Sequence, residues 1–330
     1  MPSRNRHVIA VVVLVPVLAA LALWAFAWPA SRIAPRDLPL GVAGPPAAAA
    51  QVERQLERHE GAFEIHRYAD EAAARDAIED RSVYGAVVVT PQGPELLTAS
   101  AAGPVVAQFL QQAVAHQAAP ERTQVKTVDV APTPAGDPRG AVLNAATLPL
   151  ALAGIAAGAV VTLLGLRGFR AVIALLGASA LVGVIAAGIA HSWLGALGGD
   201  WWTEASVLGL STLAVGGAVA GLAALIGPAG TGVGAAVVML IGNPFSGATS
   251  APQMLPEPAG AIGQWLPPGA GTTLLRSVSY FDGAAATGPA LTLAWWAVLG
   301  LGAVLLGSSL RARKTGSGPA AERRELSAVA

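Results

Sequence analysis

The 330-residue chain contains no cysteine, and charged side chains are scarce. Without cysteine there can be no disulfide, no thiolate nucleophile and no sulfur-ligated metal centre. Asp, Glu, Lys and Arg make up only 12% of the residues, against about 25% in an ordinary soluble domain. Hydrophobic residues make up 54%, so a surface built from this sequence cannot be wetted on all sides. The composition therefore predicts a membrane protein.

Signatures of nucleic-acid binding and of catalysis are also missing. The formal net charge is zero, and there is no helix-turn-helix, zinc-finger or RNA-binding motif, so we expect no nucleic-acid partner. Residues 227–234 carry the glycines of a phosphate loop without the Lys and Ser/Thr that reach the phosphates, and a tight cytoplasmic turn is the simpler interpretation. His59, His66 and His116 lack metal-ligand spacing. We therefore expect no enzyme activity, no metal and no cofactor.

Long apolar runs are what the sequence has instead. Residues 8–28 contain no charge and are long enough to cross a hydrocarbon core of about 30 Å. They form either an uncleaved anchor ending in interfacial aromatics or a signal peptide with a small-x-small site at residues 25–27; we favour the anchor because the run exceeds a usual signal core. Five further spans are predicted, of which the fourth is short: 141–165, 171–191, 205–226, 230–243 and 288–310.

Basic residues indicate the topology of these six spans. If every span crosses, three clusters fall on one side, and positive charge marks the cytoplasmic side. The clusters are Arg4 with Arg6, Arg167 with Arg170, and Arg311 with Arg313 and Lys314. We therefore place residues 1–7 and a disordered tail over residues 311–330 in the cytoplasm. The alanine-, glycine- and arginine-rich composition suggests a bacterial protein, and hence the bacterial cytoplasmic membrane.

Residues 29–140 differ from the rest and are predicted to form an extracytoplasmic α/β domain inserted after the first span. They hold 14 acidic and 10 basic residues. Apolar or alternating segments separated by helical patterns predict a small parallel sheet with helices packed on it. The predicted strands are 38–43, 63–68, 84–90, 96–99 and 124–130, and the predicted helices are 47–60, one capped by Asp70, and 105–116.

The bundle over residues 141–310 holds only seven charged residues, all of which can be placed in loops or at span ends. His191, Asp200 and Glu204 fall at the outer edge of their spans, where we expect the interface to solvate them. This placement argues against an ion-driven transporter with a charged relay. Small residues at four-residue spacing predict close helix packing at three pairs: Gly154 with Gly158, Gly217 with Gly221, and Gly230 with Gly234.

The outer loop over residues 244–287 alternates short apolar pieces with Pro and Gly. Asn243, Pro244 and Phe245 break the fifth span, and Trp265 precedes the pair Pro267–Pro268. Pieces this apolar and this short predict re-entrant or interfacial helices buried against protein. The alternative is an ordinary exposed loop.

Together these features resemble the ABC-2-type permease family, and within it the phage infection protein (Pip-like) branch with a large extracytoplasmic domain. The likeness rests on the segments LPLGVAG and YGAVVV and on the final loop NPFSGATSAPQMLPEPAGAIGQWLPPG. It implies the transmembrane component of an exporter for an apolar or envelope-related substrate. It also implies that two copies pair as a homodimer and that a separate ATPase subunit binds a cytoplasmic loop, here Arg167, Phe169 and Arg170.

Two other functions remain open. The short N-terminus and the four-residue loop 167–170 offer little surface for an ATPase, which favours a membrane-anchored extracytoplasmic receptor or scaffold. A membrane-embedded enzyme is the third hypothesis and has no nucleophile, metal cluster or acid pair to support it.

Overall fold

The computed structural model describes residues 2–118 and 125–316, and it is mostly helical with one five-stranded sheet. The sheet segment contains β1 (Leu38–Ala43), α2 (Pro46–Leu56), β2 (Phe63–Tyr68), α3 (Glu71–Glu79), β3 (Gly85–Thr90), β4 (Gly93–Thr98), α4 (Pro104–Ala118) and β5 (Lys126–Asp129). It follows α1 (Pro2–Ala30) and precedes a bundle of α5 (Ala141–Leu163), α6 (Gly168–Ala187, extended by a π-turn to Trp193), α7 (Trp201–Ile226), α8 (Pro228–Val237, extended by a π-turn to Gly242) and α11 (Thr287–Gly316). Between α8 and α11 lies an outer segment with a 3₁₀ turn (Pro252–Met254), α9 (Ala259–Gln264) and α10 (Pro267–Tyr280).

Five helices in the described residues are long and apolar enough to cross a membrane. They are Val8–Ala30, Ala141–Leu163, Gly168–Trp193, Trp201–Ile226 and Thr287–Ala312. The predicted fifth span corresponds to Pro228–Gly242, which is apolar but shorter than these. The structure therefore supports five spanning helices, against about six in the sequence prediction. The predicted tail is helical to Gly316, and residues 317–330 lie outside the described part of the chain.

The strands of the sheet segment follow the sequence prediction closely, but their directions do so only in part. The order is β2-β1-β3-β4-β5, with β1 parallel to both β2 and β3. The prediction of a parallel sheet is wrong for β4, which is antiparallel to β3. Thr90 pairs with Gly93, and the two residues between them are too few for the crossover that a parallel pair needs. β5 then runs parallel to β4.

The core of the sheet segment lies on both faces of β1 and β3. Leu40 and Val42 on one face of β1 and Ala43 on the other are at most 1% exposed, which explains why β1 reads as a continuous apolar run instead of an alternating one. Asp70 caps α3 as predicted, since its side chain accepts a hydrogen bond from the backbone N–H of Ala73. Phe281, which follows α10, packs into the same core. The sheet segment and the outer segment are therefore packed as one body.

The bundle is built around α7, whose residues are mostly buried by α5, α6 and α11. All three predicted glycine pairs lie at helix contacts. A Cβ on Gly158 would lie 2.7 Å from the Gly216 carbonyl oxygen, and one on Gly221 would lie 2.7 Å from the Gly300 carbonyl oxygen. Gly230 packs equally closely on α7, because its Cβ would lie 2.3 Å from the Leu222 carbonyl oxygen. Close backbone approach at small residues is the main source of helix association in lipid.

Side-chain and backbone contacts distinguish the two ends of the bundle. At the sheet-side end, the backbone N–H of Ala34 donates to the Met254 carbonyl, and Gly136 lies against the Leu194 and Gly195 carbonyls. At the opposite end, which we call the basic end, Arg311 donates to the carbonyls of Ala223 and Ala224. The turns α5–α6 and α7–α8 lie at the basic end, whereas the outer segment lies at the sheet-side end.

The α7–α11 contact gives a test with a matched control on the same helix. A Cβ on Gly300 would lie 2.3 Å from the Gly217 backbone, whereas one on Gly302 meets nothing within 4 Å. We expect Gly300→Ala to destabilise the bundle by about 1–3 kcal/mol through overpacking and to lower the unfolding temperature in detergent. Gly302→Ala should leave that temperature unchanged or slightly higher. Equal melting temperatures for the two variants would contradict this packing.

Candidate functional site

A small apolar cleft with an interior volume of about 30 Å³ opens between α5, α7 and α10, in the half of the bundle nearer the sheet. Its walls are formed by apolar or small side chains, none of which is charged. The lining residues are Leu143, Ala146, Thr147, Leu150, Ala151, Leu208, Ser211, Val215, Pro267, Pro268, Gly271, Thr272 and Leu275. A cleft of this chemistry suits an apolar ligand.

Three hydroxyl groups interrupt the apolar wall. The hydroxyls of Thr147 and Thr272 lie 3.2 Å apart and join α5 to α10. The Ser211 hydroxyl donates to the Val207 carbonyl within α7, and a Cβ on Gly271 would lie 2.7 Å from it. A hydrogen bond between membrane helices contributes about 0.6 kcal/mol on average. The threonine pair therefore helps to orient α10 but adds little to the stability of the bundle. Gly271 is what permits α10 to approach α7 here.

The outer segment covers the sheet-side end of the cleft and is held by Gln264. Its side-chain amide donates to the Ser246 carbonyl at 3.0 Å, and its amide oxygen accepts from the Thr273 hydroxyl at 2.7 Å. Gly263 and Gly269 allow the backbones to stack, since a Cβ on Gly263 would lie 1.7 Å from the Phe245 carbonyl oxygen. The irregular backbone of this segment is therefore packed closely against protein, the setting in which non-helical backbone is tolerated at membrane depth.

The outer-loop residues singled out in the sequence occupy different places. Pro267 and Pro268 are buried and line the cleft at the N-terminus of α10. Phe245 is buried against Trp28 of α1, with ring centroids 6.1 Å apart. Trp265 is 76% exposed, and its carbonyl accepts from the Trp296 indole. Asn243 and Pro244 end the π-turn of α8 and are half-buried, so only the two prolines contact the cleft.

The predicted ATPase-contact loop lies at the basic end, far from this cleft in the fold. Arg167, Phe169 and Arg170 are exposed, Phe169 by 71% of its surface. Arg167 and Arg311 line a second cavity of about 80 Å³ between the α5–α6 turn, α7 and α11, and neither Phe169 nor Arg170 contributes to it. No carboxylate lines this cavity among the described residues.

A buried carboxylate at the sheet-side end was missed in the sequence. The prediction that the interface solvates Glu204 is wrong, because its side chain is 0% exposed. Its two oxygens accept from the Gly199 backbone N–H at 2.9 Å and contact His191 Nδ1 at 2.7 Å. The π-turn that ends α6 brings His191 to this position. Asp200 behaves as expected, since it is exposed and caps α7 through the Thr203 N–H.

Within the described residues no group of three or more His, Cys, Asp or Glu side chains has the arrangement of a metal site. The tight turn expected over residues 227–234 is confined to Gly227, where φ is 81°, because Pro228–Val237 is helical. The candidate functional features in the described residues are the two cavities, the buried His191–Glu204 pair and the junction between the sheet and outer segments.

Comparison with known proteins gives one match. Residues 6–128 match a family model described as ABC-2 family transporter protein. The matched region runs from α1 through the sheet segment into β5 and does not include the bundle helices α5–α11. No curated protein and no solved structure matches the chain. With five helices of spanning length, the chain is a multi-pass membrane protein with permease-like character in its N-terminal part.

The buried Glu204 provides a test of the sheet-side end. We expect Glu204→Ala to lower the unfolding temperature in detergent, because it leaves the Gly199 N–H and the His191 ring without their acceptor at a cost of about 1–3 kcal/mol each. Glu204→Gln retains an acceptor oxygen and should lose less than half as much. Glu257→Gln, at an exposed carboxylate of the outer segment, is the control and should change nothing. An Ala variant as stable as the wild type would show that the pair does not stabilise this end.

Proposed function

We propose that this chain is the transmembrane component of an ABC-2-type exporter that carries an apolar or envelope-related substrate. The observation that carries the proposal is the cleft between α5, α7 and α10, which is apolar, lies among helices of spanning length and is covered by the outer segment. An apolar substrate enters such a cleft from the bilayer without leaving a hydrophobic environment. The family match over residues 6–128 supports the same function from an independent part of the chain.

The exporter requires an energy source, and this chain has no nucleotide-binding motif in its sequence. We assign ATP hydrolysis to a separate ATPase subunit that contacts Arg167, Phe169 and Arg170 at the basic end. An exposed phenylalanine between two arginines is a suitable anchor for a partner, because aromatic and Arg side chains dominate binding at protein interfaces. We further propose that two copies pair as a homodimer in the bacterial cytoplasmic membrane.

The proposed topology has six crossings, with residues 29–140 and the outer segment outside the cell. Its support is that α8 begins at the basic end, where Gly230 packs on Leu222, and its π-turn ends at the sheet-side end, where Phe245 packs on Trp28. Pro228–Gly242 thus connects opposite ends of the bundle although it is shorter than the other spans. Residues 244–287 then form a re-entrant-like cap on the outer side, and both termini are cytoplasmic.

A receptor or scaffold is the second candidate function. The observation that favours it is the close packing of the sheet segment on the outer segment, which includes the Tyr84 hydroxyl 3.0 Å from the Gln253 side-chain oxygen. A ligand bound by the sheet segment would then be held at a fixed place above the membrane. The first candidate remains the better supported, since a receptor needs no cleft among its spans.

Filling the cleft tests the exporter. Ala146 lines the cleft, while its neighbour Ala145 is exposed and does not. In host cells lacking the native gene, we expect wild-type protein and Ala145→Trp to restore efflux of the apolar probe N-phenyl-1-naphthylamine. Ala146→Trp should reduce efflux, and binding of the probe to purified protein, at least tenfold, because the indole occupies the cleft. Full efflux by Ala146→Trp would remove the cleft from the transport path.

Cysteine labelling tests the topology without background, since the native chain has no cysteine. Ala229 and Glu257 are both exposed, the first at the basic end of α8 and the second in the outer segment. In intact cells we expect a membrane-impermeant maleimide to label Glu257→Cys and to leave Ala229→Cys unlabelled until the membrane is permeabilised. Glu64→Cys in the sheet segment is the positive control and should be labelled like Glu257→Cys. Equal labelling of Ala229→Cys and Glu257→Cys in intact cells would contradict a crossing by α8.

A further inference from the structure

Two arginines meet at the junction between the sheet segment and α10. Arg81 lies in the turn between α3 and β3, and Arg276 lies on α10 and is only 4% exposed. The Arg81 guanidinium donates to the Thr273 carbonyl at 3.1 Å and to the Ser277 hydroxyl. Thr273, Arg276 and Ser277 share one turn of α10, so the two guanidinium groups are neighbours.

No carboxylate compensates this pair within residues 2–118 and 125–316. Neither arginine has an acidic oxygen within 4 Å, although both have acidic neighbours nearby in the sequence. The nearest in sequence are Glu79, Asp80 and Asp282, all of which are exposed. Buried charges in proteins are otherwise paired. The pair is therefore an exception that calls for a negative partner.

What surrounds the arginines is dipolar or aromatic. Arg276 donates to the Ala248 carbonyl at 3.0 Å, and Arg81 lies over the Phe281 ring at 5.4 Å from its centroid. Burial raises the pKa of Tyr84, so this phenol remains neutral and supplies no charge. Burial lowers the pKa of Arg276 to about 10, and repulsion from Arg81 acts in the same direction. Both groups are still positively charged at neutral pH.

Both arginines also have N–H donors that they do not use in hydrogen bonds to the described residues. Each guanidinium offers five N–H donors in a planar fork. Arg81 uses Nη1 and Arg276 uses Nη2, and the remaining nitrogens of both have no acceptor in the described part of the chain. Arg81 itself adopts a left-handed conformation with φ of 60°, which is uncommon for a residue with a side chain and marks a held position.

We propose that this junction is an anion site and that its ligand is a phosphate monoester, bound between Arg81 and Arg276. Two adjacent guanidinium groups match the charge of a dianion, whereas a carboxylate neutralises only one of them. A phosphate group also offers three oxygens to the unused N–H donors, and arginine forks bind phosphate in two-point contacts. The phosphate belongs either to a soluble metabolite or to a lipid headgroup such as that of phosphatidic acid. Because Arg81 belongs to the sheet segment and Arg276 to α10, a ligand bound by both arginines is held between the two and ties one to the other.

Thermal unfolding of the full-length protein in detergent tests the site. We expect phosphate or glycerol 3-phosphate at about 20 mM to raise the unfolding temperature of the wild type by several degrees over sodium chloride of equal ionic strength. Phosphate stabilises folded proteins in general through exclusion from their surfaces. The test is therefore the difference in phosphate response between the wild type and the variants. Arg81→Gln and Arg276→Gln should weaken the response at least tenfold in apparent affinity. Arg75→Gln, in the same segment but paired with Glu71, should retain it.

Stability without phosphate separates an anion site from a purely structural role. Removing one of two uncompensated charges should leave Arg81→Gln as stable as the wild type in chloride, or more stable. If both Gln variants are equally destabilised in chloride and in phosphate, the arginines only hold carbonyls and the proposal fails. It fails also if Arg75→Gln loses the response, or if the wild type melts alike in all salts. Should a Gln variant not fold, Arg276→Lys retains the charge and should respond with reduced affinity.

Vesicles distinguish the two sources of phosphate. With a lipid ligand, we expect reconstitution into phosphatidylcholine containing phosphatidic acid to stabilise the wild type more than phosphatidylcholine alone, and to remove the effect of added glycerol 3-phosphate. With a soluble ligand, glycerol 3-phosphate should act equally in both membranes. A response in neither vesicle nor detergent would overturn the site, and none of these outcomes depends on export.

Discussion

Close approach of backbones along α7 is the interaction on which the rest of the molecule depends. Gly154 and Gly158 on α5, Gly300 on α11 and Gly230 on α8 all lie where a Cβ would collide with the α7 chain or its side chains. In lipid there is no hydrophobic drive between helices, so dispersion and shape must hold them together. α7 provides small residues at these contacts, and the share of its residues that is buried exceeds that of the other spans. The helices that pack on α7 form the walls of the cleft and fix the positions of the α5–α6 and α7–α8 turns.

Polar chemistry is consequently displaced from the bundle to its two ends. At the basic end, Arg311 donates hydrogen bonds to carbonyls near the C-terminus of α7. The C-terminus is the end of a helix at which a cation is favoured. At the sheet-side end, Glu204 is buried against His191 at the end of α6, while Arg276 is buried within the outer segment and Arg81 is half-buried where the sheet segment packs on it. The outer segment therefore serves two purposes. It closes the apolar cleft, and it shields charged groups from water at the point where the sheet segment rests on the bundle.

Much of the fold follows from local sequence, while the sites follow from contacts between distant residues. The bounds of β1 and β2 can be predicted because the strands end at turn residues such as Gly44. The start of α3 can be predicted because Asp70 is a residue type that caps helices. The direction of β4 depends on the length of a two-residue hairpin, which apolar patterning does not reveal. Six spans were predicted from apolar runs, but the run at Pro228–Gly242 gives a helix too short to be counted by length.

The candidate sites show the same division more sharply. Glu204 reads as an interfacial acid until the π-turn of α6 brings His191 against it. Arg276 reads as a residue of an outer loop, and nothing near it in the sequence indicates Arg81, since Arg81 and its acceptor Thr273 are 192 residues apart in sequence. Pro267 and Pro268 were singled out because Pro and Gly separate the short apolar pieces of the outer loop, yet their place in the wall of the cleft depends on α5 and α7.

α10 connects the two features that matter most for function. One face, with Gly271 and Leu275, forms part of the cleft, and the other, with Thr273 and Arg276, forms the junction with the sheet segment. A helix of this length moves as a rigid unit, so its two faces cannot be displaced independently. A displacement of α10 at its junction with the sheet segment would therefore move the wall of the cleft as well. This connection gives the sheet segment a physical route to influence what the bundle binds.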